Sequence, residues 1–152
     1  MTFILSVSGW RDWDQGETAI HNQLGRYLNQ YGSMLHVRVG CARGVDEITR
    51  RRLAQLENMG LGVTWTVYRA LWDVHGRKAA GPIRNGEMLR GRNPHDPFPD
   101  QLAHRLLGFP QPGIDWRMPG SGTVDCILQA VGLGITVEVP GFLRQEPASL
   151  FD

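Results

Sequence analysis

The chain has 152 residues and a formal net charge of +1, with 19 glycines, five tryptophans and two cysteines. That length suits one domain with a sizeable core, and the near-neutral charge indicates no particular partner such as nucleic acid. The apolar start "MTFILSVSG" lacks a basic flank and is too short for a signal peptide or a membrane span. We therefore expect a cytoplasmic protein with reduced thiols.

Short apolar runs alternate with helical patterns along the chain. Five runs predict buried strands, at 3–8, 34–40, 61–70, 103–110 and 134–139. Four stretches of helical periodicity separate them, at 17–31, 44–58, 82–90 and 122–132. In the last helix the residues expected to face the core are Val124, Ile127, Leu128 and Val131. The basic run Arg50–Arg52 is expected to lie mostly in water.

This alternation predicts βαβ units, which require a parallel sheet covered by helices. The fold class is α/β: a Rossmann-like, doubly wound sheet of about five mainly parallel strands with helices on both faces. The domain spans residues 1–140, and residues 141–152 form a C-terminal tail. Two aperiodic segments, 91–100 and 111–121, interrupt the pattern, and loops of that length are often functional. The sequence leaves open whether they act as lids.

Ligands of doubly wound sheets bind beyond the carboxyl ends of the strands. Each turn expected there pairs glycine with a polar residue. The turns "SGWRDW" and "GCARGVDE", which follow the first two strands, supply the candidates Gly9, Arg11, Asp12, Gly40, Arg43, Gly44 and Asp46. Free N–H groups at a helix start beside an arginine form an anion cradle, although helix capping alone would also explain Asp46.

Two later turns complete the predicted site. The segments "WDVHGRKAAGPIRNGEM" and "PGSGTVD" supply the candidates Gly81, Arg84, Asn85, Gly120, Ser121, Gly122 and Thr123. Glycines let backbone amides approach a phosphate, so an anionic, phosphorylated or nucleotide-like small molecule suits this cleft. No metal and no resident cofactor are predicted, because neither the two cysteines nor His75 has a partner at a metal-binding spacing.

Taken together and in this order, the four segments resemble the SLOG superfamily, and within it the YspA, cpYpsA-related family. The resemblance runs from about Phe3 to Val139, and its most specific part is the third segment, which includes Met88. It implies a Rossmann-like fold, a nucleotide or nucleotide-derived ligand held by the candidates named above, and a homodimer. Relatives include the LOG phosphoribohydrolases, which cleave the base from a nucleoside monophosphate, and proposed ligand sensors of bacterial and phage conflict systems.

The last turn departs from the hydrolase pattern Pro-Gly-Gly-x-Gly-Thr-x-x-Glu. Ser121 replaces the second glycine, or that glycine is missing, and Cys126 stands where the glutamate would be. Asp125 lies one residue earlier, about 100° around the helix, and is the candidate catalytic carboxylate. Glycosidic cleavage needs such a group near the ribose.

Three functions therefore stay open. The leading hypothesis is a sensor, carrier or sequestering protein that binds a nucleotide or ADP-ribose-like ligand, with a possible role in phage–host immune signalling. The second is a nucleoside 5'-monophosphate phosphoribohydrolase, a LOG-like N-glycosidase that uses Asp125. The third is a protein-interaction module whose contacts come from Trp10, Trp13 and Trp116.

Overall fold

A computed structural model describes residues 1–114 and 122–141. Within these ranges, strands and helices alternate as the sequence predicts. The strands are β1 (Phe3–Gly9), β2 (Leu35–Gly40), β3 (Thr64–Tyr68), β4 (Arg105–Phe109) and β5 (Thr136–Glu138). The helices are α1 (Thr18–Tyr31), α2 (Val45–Asn58), α3 (Trp72–His75), α4 (Ala80–Arg90) and α5 (Gly122–Gly132). The short helix α3 was not predicted, because four residues show no helical period.

The five strands form one sheet in the order β3-β2-β1-β4-β5, and every neighbouring pair is parallel. The chain thus moves outward from β1 to β3 and then returns to the other side of β1. The change of direction lies between β1 and β4, where doubly wound sheets bind their ligands. We call the edge at which all five strands end the carboxyl edge. The predicted Rossmann-like α/β fold is confirmed.

Helices cover both faces of the sheet. On β1, Gly9 lies directly against the Val45 side chain of α2. Three residues earlier on the same strand, the Ser6 hydroxyl donates a hydrogen bond to the Met88 carbonyl of α4. Successive strand residues point to opposite faces, so α2 and α4 lie on opposite sides of the sheet. Helix α1 packs against α2, and α5 packs against α4.

The buried side of α5 differs from the predicted one. Leu128 and Val131 were expected to face the core, but they are 48% and 51% exposed. Val124 and Ile127 are buried as expected, and the smaller Thr123, Cys126 and Ala130 complete the buried face. The apolar pattern was misleading because α5 lies against both the sheet and α4, where small side chains permit close packing.

Helix α4 begins at Ala80, two residues before the predicted start at Pro82. Proline is tolerated anywhere in the first turn of a helix, because the N–H groups there have no intrahelical acceptor. The earlier start places Gly81 inside the helix, one turn before Arg84.

The segment 91–100 is held against β2 by a buried arginine. Arg38 donates from Nε to Asp96 (2.7 Å), from Nη1 to the Gln101 carbonyl (2.7 Å) and from Nη2 to the Phe98 carbonyl (2.9 Å). The Tyr68 hydroxyl donates to the same Asp96 oxygen at 2.6 Å. We call Arg38, Tyr68 and Asp96 the buried cluster. Since the cluster fixes this segment to β2 and β3, the segment serves as a structural strap.

Within the described ranges, no helix has the length and apolarity that crossing a bilayer requires.

Candidate ligand site at the carboxyl edge

The turns after β1 and β2 lie against each other at the carboxyl edge. The Trp10 N–H donates to the Phe109 carbonyl at the end of β4 (2.9 Å), and the Val45 N–H donates to the Trp10 carbonyl (3.3 Å). Two glycines permit this close packing. A Cβ at Gly9 would lie 2.3 Å from the Val45 side chain, and one at Gly44, where φ is +71°, would lie 2.5 Å from the Trp10 carbonyl oxygen.

Arg84 of α4 extends to the end of β2. Its Nη1 lies 3.9 Å from Asp46 Oδ2, 3.8 Å from Cys41 Sγ and 3.5 Å from the Tyr68 carbonyl oxygen. Its Nε donates to Asn85 Oδ1 at 3.1 Å. The Nη1 contacts are all long for hydrogen bonds, and Nη2 makes none within the described residues. Among the described residues, the guanidinium is therefore held in place with most of its donor capacity unused.

Gly40 makes this arrangement possible. A Cβ at position 40 would lie 2.4 Å from Arg84 Nη1 and 2.5 Å from Asp46 Oδ2. The absence of a side chain on the last residue of β2 thus leaves the space in which the guanidinium and the carboxylate meet.

Asp46 is a buried carboxylate on the first turn of α2, only 4% exposed. Its Oδ2 accepts a hydrogen bond from the Ala42 N–H at 3.1 Å, which ties the turn after β2 to the first turn of α2. Burial raises the pKa of Asp46 to about 6, although Arg84, the Ala42 N–H and Arg50 each favour the ionised form. This group therefore titrates close to physiological pH.

Asn85 connects Arg84 to the start of α5. Its Oδ1 accepts from Arg84, while its Nδ2 donates to the Gly122 carbonyl and to Asp125 Oδ2, both at 3.0 Å. The side chain is buried, and its amide uses both a donor and an acceptor in these contacts. We call Asp46, Arg84, Asn85 and Asp125 the rim cluster.

Asp125, the candidate catalytic carboxylate, also contributes to the contact between α4 and α5. Its Oδ2 accepts from Gln129 Nε2 at 2.8 Å, and the same nitrogen donates to the Pro82 carbonyl at 3.0 Å. Thr123 is buried beside this network. Cys126, at the position of the hydrolase glutamate, is fully buried, and that burial raises the pKa of its thiol to about 12. The thiol therefore stays protonated at neutral pH.

The other candidates lie outside the rim cluster. Arg43 donates from Nη2 to Asp12 at 2.6 Å, and both side chains are at least half exposed. Arg11 is exposed as well. The structure thus brings Gly40, Asp46, Arg84, Asn85 and Asp125 together, while Arg43 pairs with Asp12. Gly120 and Ser121 lie outside the described residues.

Arg50 was expected to lie in water, and this expectation was wrong. Its Nη1 donates to the Gly40 carbonyl at 2.7 Å and to the Ala42 carbonyl at 3.0 Å, which fixes the turn after β2. A signal was present in the sequence, because Arg50 follows Asp46 by four residues and so lies on the same side of α2. Cys41 was missed too, and no pattern pointed to it.

Two surface grooves lie elsewhere. One of about 380 Å³ runs along α4 and includes Pro82, Gly86 and Arg90. The other, of about 330 Å³, lies beside Arg26 and Glu138. Within the described ranges, no set of three or more His, Cys, Asp and Glu side chains is arranged to hold a metal ion. Cys41 and Cys126 are free thiols.

The fold and the rim cluster define a Rossmann-like α/β protein with an arginine at the carboxyl edge of its sheet. No protein-family model matches the chain. No solved structure matches it. A stretch of 84 residues is 37% identical to the Gene 61 protein of Mycobacterium phage D29. The match covers 55% of this chain and 66% of the phage protein, slightly less than two thirds of that relative's length. The relative's name states no activity or ligand.

Proposed function

We propose that this protein is a member of the SLOG superfamily, in its YspA, cpYpsA-related branch, and that it binds a nucleotide or nucleotide-derived, ADP-ribose-like ligand at the carboxyl edge. The observation that carries the proposal is the weak hydrogen bonding of the Arg84 guanidinium among the described residues. Its guanidinium is 13% exposed and held by long contacts, with donors that an anion can use. A phosphate oxygen placed there would complete the hydrogen bonding of a group that the described residues leave weakly bonded.

The biological role is that of a sensor, carrier or sequestering protein. The similarity to a phage protein is compatible with a phage setting, and the role in phage–host immune signalling is carried by the family resemblance alone. The homodimer that the resemblance implies stays a prediction, which light scattering on the purified protein tests.

Calorimetric titration with ADP-ribose and with AMP tests the proposal. Arg84→Met removes the guanidinium and keeps an unbranched side chain of similar length. We expect it to weaken binding about 10- to 100-fold, because hydrogen bonds to charged groups contribute about 1.5 to 3 kcal/mol each. Arg52→Met is the matched control, since it removes the same charge from α2, where Arg52 bonds only Gln55 among the described residues. Equal affinities of wild type and both variants would contradict an anion site at Arg84.

Hydrolysis of a nucleoside monophosphate is the second candidate function. It is favoured by the position of Asp125, which Asn85 holds at the start of α5 beside Arg84. Release of free base from AMP, followed by chromatography, tests it. Under this function Asp125→Asn abolishes release, whereas intact nucleotide after prolonged incubation with the wild-type protein rules it out.

A protein-interaction module is the third possibility, and the Arg84 variant separates it from the other two. Under this hypothesis Arg84→Met leaves partner binding unchanged, because the module would bind through Trp10, Trp13 and Trp116, of which Trp10 and Trp13 are half-buried and Trp116 lies outside the described residues.

A further inference from the structure

Three apolar side chains stand exposed just beyond the end of β3. Leu71 and Trp72 are each 50% exposed, and Val74 is 71% exposed. Single exposed apolar residues are common on protein surfaces, but a local group of them marks a site of binding. Helix α3, which carries Trp72 and Val74, is only four residues long and ends at Gly76. None of these three side chains is part of the hydrophobic core.

Local contacts fix this group beside the rim cluster. The Ala70 N–H donates to Cys41 Sγ at 3.3 Å, which holds the entry to α3 against the end of β2. Cys41 is also the residue whose sulfur lies 3.8 Å from Arg84 Nη1. One side chain thus contacts both the segment that leads to Trp72 and the guanidinium.

Trp72 itself lies against α4. Its ring atom Cη2 would lie 3.9 Å from a Cβ at Gly81, an ordinary van der Waals separation. Arg84 follows Gly81 by three residues, and positions three apart on a helix are neighbours on its surface, about 5 to 6 Å apart. The ring is therefore packed on one edge, half open to solvent, and lies against α4 one turn before the arginine of the proposed site.

We propose that Trp72 is a stacking platform for the base of the ligand whose phosphate binds Arg84, so that the site takes an aromatic nucleotide rather than a phosphosugar. This inference rests on the proposed function. Base stacking on an aromatic side chain tolerates every base, because each base presents a π-face. The indole is also pre-positioned by its contact with Gly81, which lowers the entropy lost on binding.

The test compares ADP-ribose with ribose 5-phosphate, which lacks the base. Trp72→Ala is expected to weaken ADP-ribose binding about 5- to 100-fold while leaving the affinity for ribose 5-phosphate unchanged. Trp72→Phe keeps a smaller aromatic face and retains most of the affinity. Met59→Ala, at an exposed apolar position just after the end of α2 and outside this group, is the control and leaves both affinities unchanged. Arg84→Met, in contrast, weakens both ligands.

Tryptophan fluorescence provides a second readout, which does not require an affinity for ribose 5-phosphate. Stacking quenches the fluorescence of an indole, so ADP-ribose is expected to quench the wild-type protein and to lose that quenching in Trp72→Phe while it still binds. Unchanged ADP-ribose affinity in Trp72→Ala overturns the inference and leaves the anion site in place. An equal loss for both ligands also overturns it, since that result indicates a structural role. Absence of binding by every nucleotide and by ribose 5-phosphate would overturn the proposed function together with this inference.

Discussion

Two arginines on the same side of the sheet are bonded in opposite ways. Arg38, in the buried cluster, is fully buried and makes three hydrogen bonds of 2.7 to 2.9 Å from its three nitrogens. Arg84, in the rim cluster, keeps some exposure, and its Nη1 contacts range from 3.5 to 3.9 Å. The protein supplies a hydrogen-bond acceptor to each nitrogen of the Arg38 guanidinium. Among the described residues, the Arg84 guanidinium is held in position mainly by long contacts. The number and length of its hydrogen bonds distinguish an arginine that holds the fold from one that is available to a ligand.

The largest expected effect comes from breaking the buried cluster. Asp96→Ala leaves Arg38 buried without its counter-ion and removes the acceptor of Tyr68. Breaking a buried ion pair costs about 3 to 5 kcal/mol, so we expect a loss of that size in the free energy of unfolding, measured in urea. Arg84→Met is expected to change this free energy by less than about 1 kcal/mol. Similar losses in the two variants would remove the distinction between the two arginines.

The carboxylates of the two clusters should titrate with opposite effects on stability. Burial raises the pKa of Asp46 to about 6, so the native state holds its proton more tightly than the unfolded chain does. Its contribution to stability is therefore greatest below about pH 4 and falls by about 3 kcal/mol in all as the pH rises through 6. Burial alone would raise the pKa of Asp96 too, but hydrogen bonds from Tyr68, the Phe98 N–H and Arg38 lower it. The stability that Asp96 contributes is instead lost as the pH falls through that lowered pKa.

Urea unfolding between pH 4 and pH 7 measures this difference. Asp46→Asn should remove the decline in stability between pH 4 and 6, so that the variant becomes more stable relative to wild type as the pH rises. Asp73→Asn, at an exposed position, serves as the control with a flat difference. A constant offset between Asp46→Asn and wild type would show that Asp46 has an ordinary pKa.

The smallest changes in stability and affinity are expected from substituting the glycine beside each guanidinium, which is Gly91 for Arg38 and Gly40 for Arg84. At Gly91, where φ is +75°, a Cβ would lie 2.6 Å from Arg38 Nη2 and 2.9 Å from the Gln101 carbonyl oxygen. Gly91→Ala should therefore cost at least about 1 kcal/mol of stability, from its left-handed backbone alone. Gly40→Ala displaces only the ends of Arg84 and Asp46, so it should weaken ADP-ribose binding with a smaller loss of stability. Thermal unfolding and calorimetry on both variants measure the two quantities, and a reversed pattern would contradict the assignment of roles.

Much of the fold could be predicted because local patterns determine it. The strands carry short apolar runs or apolar residues that alternate with polar ones, and α2 buries Val45, Ile48, Leu53 and Leu56 as its period predicts. The details that failed depend on packing partners that a local pattern does not contain. Leu128 and Val131 are more apolar than Thr123 and Ala130, yet the smaller pair is buried because α5 fits closely against its neighbours.

The candidate site was predictable in its location and only partly in its members. Gly40, Asp46, Arg84 and Asn85 follow strands that end at the same edge, which the sequence order alone indicates. That Arg43 pairs with Asp12 instead depends on the path of an exposed turn. The buried cluster was missed because Arg38 and Asp96 are 58 residues apart and Asp96 lies in an aperiodic segment.

Tyr68 of the buried cluster also touches the rim cluster, since its carbonyl oxygen faces Arg84 while its hydroxyl donates to Asp96. A substitution in the strap that shifts Tyr68 can therefore also displace the Arg84 guanidinium. Screens that score variants by ligand retention alone would attribute ligand recognition to strap positions that act by holding Arg38. Pairing every affinity with an unfolding measurement separates such indirect losses from true contacts.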